Sequence, residues 1–396
     1  MWAIFANVAT DAGTQFADGN YLARAGNCYS CHTRPGGKPF AGGRLFKTPF
    51  GLIYSSNITP DLGTGIGSWS EDDFVQAMHE GISPDGDRLY PVFPYPSYTK
   101  IRVEDVRAIY EYLKDIEPAN YTPPENELDF PYSQRWLMSI WNRVYFEEGR
   151  YQYDPALSAE ANRGAYLVLG LGHCGSCHMP RNFLGAPQTD KALSGATYLD
   201  IVEQTKFRRW SAVNLTSGPG GLKNWSSDDI AAYLKQGYNR HAATFGPMNE
   251  VIENSTQYLS DADLTAIGIY LKTLPPIGEI PAHHSIDEET MRQGEIIYDI
   301  HCGTCHLPTG LGSEDTGPPV AGSTVVLAAD PSSLINSILY GANAPPSLAL
   351  PEGWSTMEAF GNRLDDEEVA ILSTFLRNSW GNRASPVTSE QVEQQR

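Results

Sequence analysis

Long apolar runs are missing from this sequence. Across its 396 residues nothing approaches the roughly 18 consecutive apolar residues that cross a bilayer, so no membrane-spanning helix is expected. Basic residues are scarce as well, 28 against 47 acidic ones, for a net charge of -19. That balance argues against a nucleic-acid partner, which calls for a basic footprint. It fits either of two roles: steering a basic protein partner, or keeping a soluble protein dispersed. The opening MWAIFANVATDAG has a brief apolar run without a positive n-region, so it reads as the end of a truncated signal peptide rather than a complete one. Neither a flavin-binding glycine fingerprint nor a hydrolytic constellation is found, so no catalytic residue is predicted and the chain alone is not expected to be an enzyme.

Cysteine is sparse too, and its placement carries the chemistry. All six fall in three pairs, each followed at once by histidine: Cys28, Cys31, His32; Cys174, Cys177, His178; Cys302, Cys305, His306. Cys-x-x-Cys-His is the attachment pattern of c-type haem. Two thiols about one helical turn apart can form thioethers with both vinyl groups of a porphyrin, and the adjacent imidazole then reaches the iron. Disulfides, zinc knuckles and thioredoxin-like pairs compete for such spacing. None of them requires a histidine after every pair with no cysteine left over. Three covalently bound c-type haems are therefore expected, with His32, His178 and His306 on iron. Attachment of this kind belongs to exported compartments, which points to the periplasm.

The motifs stand 146 and 128 residues apart, and similar segments recur around each. Before each comes a short helical pattern with glycine and an aromatic: Gly19 and Tyr21, Gly164 and Tyr166, Gly294 and Tyr298. Each repeat closes on an amphipathic helix, VEDVRAIYEYLKDIEP, DADLTAIGIYLKTLPP and DDEEVAILSTFLRNSW, with acidic residues in the first turn. Glycine in the first helix permits a close crossing, over which Tyr112, Tyr270 and Phe375 can pack. Middle segments match as well: Asn57 with Asn214, Trp69 with Trp225, Gly81 with Gly237. Ser70-x-x-Asp73 and Ser226-x-x-Asp229 read as helix-starting capping boxes, and Gly341 takes the place of Gly81 in the third repeat.

After each of those glycines an irregular loop is expected over the open haem face. In the second and third repeats it holds Met248 and Met357, soft thioether ligands suited to electron transfer. In the first, within GDRLYPVFPYPSY, the same slot holds Phe93, and no methionine lies between Met78 and Met138. The first site then lacks a sixth protein ligand or draws one from Met78, His79 or Met138. His173, His301, His283, His284 and His241 are assigned structural or solvated roles. Between repeats one and two, SQRWLMSIWNRVYF reads as an amphipathic helix whose Trp136, Leu137, Ile140 and Trp141 cover a domain junction.

The stretches YLARAGNCYSCHT, NITPDLGTGIGSWSEDDF, YPVFPYPSY, NRGAYLVLGLGHCGSCHMPRNFLG, FGPMNEVIENSTQYLSDADL and FLRNSWGN resemble the triheme cytochrome c subunit of membrane-associated bacterial dehydrogenases. These are the gluconate, fructose and glucose flavin enzymes and the quinoprotein alcohol dehydrogenases. The resemblance implies an all-α fold of three consecutive class I cytochrome c-like domains. They would lie at 14–119, 153–280 and 281–396, with an N-terminal segment 1–13 and a helical linker 120–152. It also implies a conduit from the flavin or pyrroloquinoline quinone of a catalytic dehydrogenase subunit to ubiquinone or a terminal oxidase, on the periplasmic face of the inner membrane. In that family the first loop usually reads YPAMPYPSY, with methionine as axial ligand, so Phe93 is a departure. The tail SPVTSEQVEQQR lacks the apolar anchor of some members. Two other readings stand beside the conduit: a free-standing periplasmic electron carrier or wire, and a haem enzyme or sensor binding peroxide or a gas at an open first haem.

Overall fold

Glycine decides where the helices cross. The computed structural model describes residues 18–203, 206–279, 284–345, 347–348 and 350–396, and in it three helix pairs repeat one device. Helix Gly19–Ala25 crosses Val103–Asp115, Ala159–Tyr166 crosses Asp261–Thr273, and Glu288–His301 crosses Asp366–Asn378. A Cβ on Gly19 would run into the Ala108 carbonyl and lie 2.8 Å from Tyr112 Cβ; on Gly164 it would meet the Ala266 carbonyl and lie 2.8 Å from Tyr270 Cβ. On Gly294 it would strike Phe375 Cβ. Capping boxes start helices Glu71–Glu80 and Ser227–Gln236 through Ser70/Asp73 and Ser226/Asp229. Gly81 and Gly237 end them in the left-handed region at φ 65° and 81°.

Tyr21 and Tyr166 tie the first two repeats together reciprocally. The Tyr21 hydroxyl donates to Asp263 on the last helix of repeat two, and the Tyr166 hydroxyl donates to Asp105 on the last helix of repeat one. One core cluster spans both repeats, and the third repeat has its own. Tyr298 stands four residues after its glycine, not two, so it stays inside its repeat and donates to the Leu307 carbonyl at 2.6 Å. The matching face of the third repeat is exposed: Ile296 is 46% and Ile300 68% accessible.

The all-α expectation is corrected. The chain is 39% helix and 10% strand, with several small antiparallel sheets, and is therefore mixed α/β. Strands Leu45–Thr48 and Gly51–Tyr54 form a hairpin extended by Glu127–Leu128; Ala196–Glu203 pairs with Lys206–Ala212, and Tyr238–Asn239 with Ala242–Ala243. Their aromatic and β-branched residues suit a pleated, half-buried surface. Phe46 opposes Ile53, and Tyr198 opposes Trp210. All four line the main cavity, so burying one face of each ribbon makes the strand preference prevail over coil.

The linker helix forms over Leu137–Tyr145. It covers the junction only in part. Leu137, Ile140 and Trp141 line the cavity, and Trp141 donates to the Leu184 carbonyl at 3.0 Å, whereas Trp136 does not line it and is 63% accessible. Among the described residues no helix is long and apolar enough to cross a membrane. Segment 1–13 and His283 lie outside the described residues.

Forcing a methyl group into the second helix crossing should destabilise the protein by about 1–3 kcal/mol, as overpacked cores do. Urea unfolding of Gly164→Ala checks this. Gly170→Ala is the tolerated control, because a Cβ there meets Ile101 at an ordinary 3.6 Å.

Candidate haem-binding centre

Each motif histidine has its Nδ1 against a backbone carbonyl. His32 reaches Ser56 O at 2.7 Å, His178 reaches Val213 O at 2.8 Å, and His306 reaches Pro318 O at 2.7 Å. A carbonyl only accepts, so Nδ1 carries the proton and Nε2 is left as the free lone pair, the arrangement a metal-ligating imidazole needs. Burial lowers the pKa of all three rings, which keeps them neutral.

The acceptor carbonyls are themselves held. Asn57 follows Ser56; its Nδ2 donates to Ala119 O at 2.7 Å, and its Oδ1 accepts from Thr59 N and Oγ1 at 2.9 and 2.7 Å. Asn214 follows Val213 and repeats the device with Ile277 O at 2.7 Å and with Thr216 N and Oγ1 at 2.8 Å. In the third repeat Asn382 does the work from a distant segment, donating to Val320 O at 3.1 Å and accepting from Gly322 N at 2.8 Å.

Burial pushes the thiols of Cys28, Cys177 and Cys302 up to about 12, and those of Cys31 and Cys174 to about 11. A thioredoxin-like pair needs the opposite shift. Cys31, Cys174, Cys177 and His178 line one cavity of about 1710 Å³ shared by the first two repeats, with Thr324, Val325 and Pro331 of the third closing part of its wall. Its walls are largely aliphatic and aromatic, and Met248 contributes to them from the first turn of helix Met248–Asn254. A planar apolar macrocycle attached through two thioethers fits this donor set. Among the described residues no group of three or more Cys, His, Asp or Glu side chains suits a metal ion by itself.

The chain matches known proteins over most of its length. The gluconate 2-dehydrogenase cytochrome c subunit of Pantoea cypripedii is 40% identical, covering 94% of this chain and 88% of that one. The cytochrome c subunit of the quinone alcohol dehydrogenase of Gluconacetobacter polyoxogenes is 39% identical over 92% and 80%, and the fructose dehydrogenase cytochrome subunit of Gluconobacter japonicus 37% over 96% and 82%. Residues 289–376 match the family model described as cytochrome c oxidase, cbb3-type, subunit III. The chain belongs to the dehydrogenase cytochrome c subunits. Membership carries covalently bound haem and electron transfer with it.

In this dehydrogenase cytochrome c subunit the remaining predicted residues separate. Met357 lies partly buried against the third repeat's core, its backbone carbonyl accepting from Ala342 N at 3.2 Å. Cys305 is exposed. Phe93 packs edge-on to Tyr98, ring centroids 5.5 Å apart, and Tyr98 in turn lies 5.4 Å from His173, next to Cys174. Met138 lines the shared cavity; Met78 belongs to the core and His79 does not line the cavity. His241 stacks on Trp225 at 5.2 Å, His301 packs edge-on to Phe360 at 5.6 Å, and His284 Nε2 lies 3.4 Å from Ser385 Oγ.

Sequence reasoning missed the three acceptor carbonyls and the charged cluster beside Cys31, in which buried Arg44 meets Asp200 and the half-exposed Glu250. The recurrence of Asn-x-Thr at 57–59 and 214–216 was the signal for two of the carbonyls. No spacing announces the charged cluster.

His79 is wholly buried, and neither ring nitrogen makes a hydrogen bond of good geometry. Burial and the Arg150 guanidinium push its pKa down to about 4 from 6.5. Between those values the unfolded chain binds the extra proton, so stability falls as pH drops through the window, by roughly 3 kcal/mol in all. Chemical denaturation from pH 7 to pH 4 should show this slope, and His79→Leu should flatten it.

Proposed function

We propose that the chain is a triheme c-type cytochrome that conducts electrons for a dehydrogenase complex. The observation that carries this reading is the threefold Cys-x-x-Cys-His motif whose imidazole Nδ1 is pinned to a backbone carbonyl each time. One site falls in each of segments 14–119, 153–280 and 281–396. Cys28 and Cys31, Cys174 and Cys177, and Cys302 and Cys305 would hold the three porphyrins, with His32, His178 and His306 on the proximal side. Met248 and Met357 would help to hold the haem in the second and third sites through their thioether sulfurs. Haem bound there supplies reversible one-electron chemistry, and the chain's residues orient it and exclude water.

The donor is the flavin or pyrroloquinoline quinone of a catalytic dehydrogenase subunit, and the acceptor is ubiquinone or a terminal oxidase. The relatives' names support the donor, since they are subunits of gluconate, alcohol and fructose dehydrogenases. Covalent haem attachment supports the periplasm, with the protein lying on the periplasmic face of the inner membrane. The shared cavity supports conduction, because it brings the first two attachment segments together. When the protein is purified from its own source cells in mild detergent, a sugar or alcohol should reduce its haem bands anaerobically through a co-purifying dehydrogenase. Bands reduced by dithionite but by no sugar or alcohol contradict the reading.

Phe93 favours a second reading, in which the first haem is open and binds a small gas or peroxide. Phenylalanine offers iron no lone pair, and this ring packs on Tyr98 instead. Carbon monoxide titration of the dithionite-reduced protein should reach one equivalent per three haems and vanish in Phe93→Met. No binding would mean that another side chain, Met138 first among those lining the cavity, has taken the position.

A further inference from the structure

We propose that Arg44 is a positioning residue between the first two haem sites: it ties the helix that begins at Met248 to repeat one and holds a buried positive charge between the two attachment segments. The assignment rests on the three-haem reading above.

Arg44 follows Gly42 and Gly43, whose φ angles of 75° and 83° turn the chain so that the arginine points inward, 8% accessible. Nη1 donates to the Ser30 carbonyl at 3.2 Å, inside the first attachment motif, and also to Glu250. Nη2 donates to Asp200 at 3.4 Å. Nε is buried without a partner. Glu250 stands two residues after Met248 in the same helix, and Asp200 lies on the strand that carries cavity-lining Tyr198. Asn254 Nδ2 reinforces the junction by donating to Ser30 Oγ at 3.0 Å. Arg44, Asp200 and Glu250 line the cavity that also holds Cys31 and Cys177, whereas the cysteines of the third motif do not line it.

Burial works against the Arg44 charge, but the two carboxylates outweigh it and raise the guanidinium's pKa. Arg44 and Asp200, with side chains 10% and 17% accessible, are weakly screened, and Glu250, at 45%, more strongly. Removing Arg44 leaves two carboxylates uncompensated beside the first two sites, which favours the more positive, oxidised state there and lowers both potentials. Removing one carboxylate does the reverse. A purely mechanical role would move both variants downward by loosening Met248.

The test is a spectroelectrochemical titration of the holoprotein as wild type, Arg44→Met, Arg44→Lys and Glu250→Gln, after pyridine haemochrome assay of haem content. Expected are three haems throughout and two of three transitions shifted down in Arg44→Met. The ferric methionine–iron charge-transfer band should weaken in the same variant, Arg44→Lys should partly restore both signals, and Glu250→Gln should shift the same two transitions up. Wild-type content below three haems overturns the three-haem reading. Three haems with unshifted transitions, with all three shifted alike, or with both variants shifted downward overturn the Arg44 assignment alone.

Discussion

An imidazole presents a fixed Nε2 lone pair only while something rigid holds its Nδ1 proton. In this chain a backbone carbonyl does so three times, at Ser56, Val213 and Pro318. Much of the surrounding loop structure follows from keeping those carbonyls still. Asn57 and Asn214 each tie the residue after the acceptor to the chain beyond the last helix of the repeat, and Thr59 and Thr216, both wholly buried, complete the turn. The third repeat lacks that pair and recruits Asn382 instead.

Around this constraint the repeats take two arrangements. Repeats one and two exchange Tyr–Asp hydrogen bonds across a shared core, so their attachment segments open into one cavity. The third joins through other groups: Ser333 exchanges hydrogen bonds with Ser211 N and O at 2.9 Å, and Asn336 donates to Arg209 O at 2.8 Å. Those partners lie on the strand that runs into Val213, so docking of the third repeat bears on the carbonyl that orients His178.

Much of this was legible in the sequence because it is local and repeated. Motif spacing, helix-crossing glycines and capping boxes are each a few residues long, and each has a copy elsewhere for comparison. The strands were not legible. LFKT and GLIY are too short for periodicity to separate them from coil, and their preference is settled by burial against a cavity that sequence does not show. The Arg44 cluster escaped for a different reason: its members stand 156 and 206 residues apart and meet only when the repeats pair. Tyr298 was grouped with Tyr21 and Tyr166 by its nearness to a glycine, yet two residues of offset turn it into its own repeat.

Intact-mass measurement of the protein matured in a host competent for cytochrome c assembly tests the central claim most directly, that each motif carries a covalently held haem on an imidazole oriented by its carbonyl. The account predicts three haem increments on the polypeptide mass, with one lost when Cys174 and Cys177 are both replaced by alanine. Fewer than three increments on the unaltered chain, or three that survive that double replacement, would contradict it.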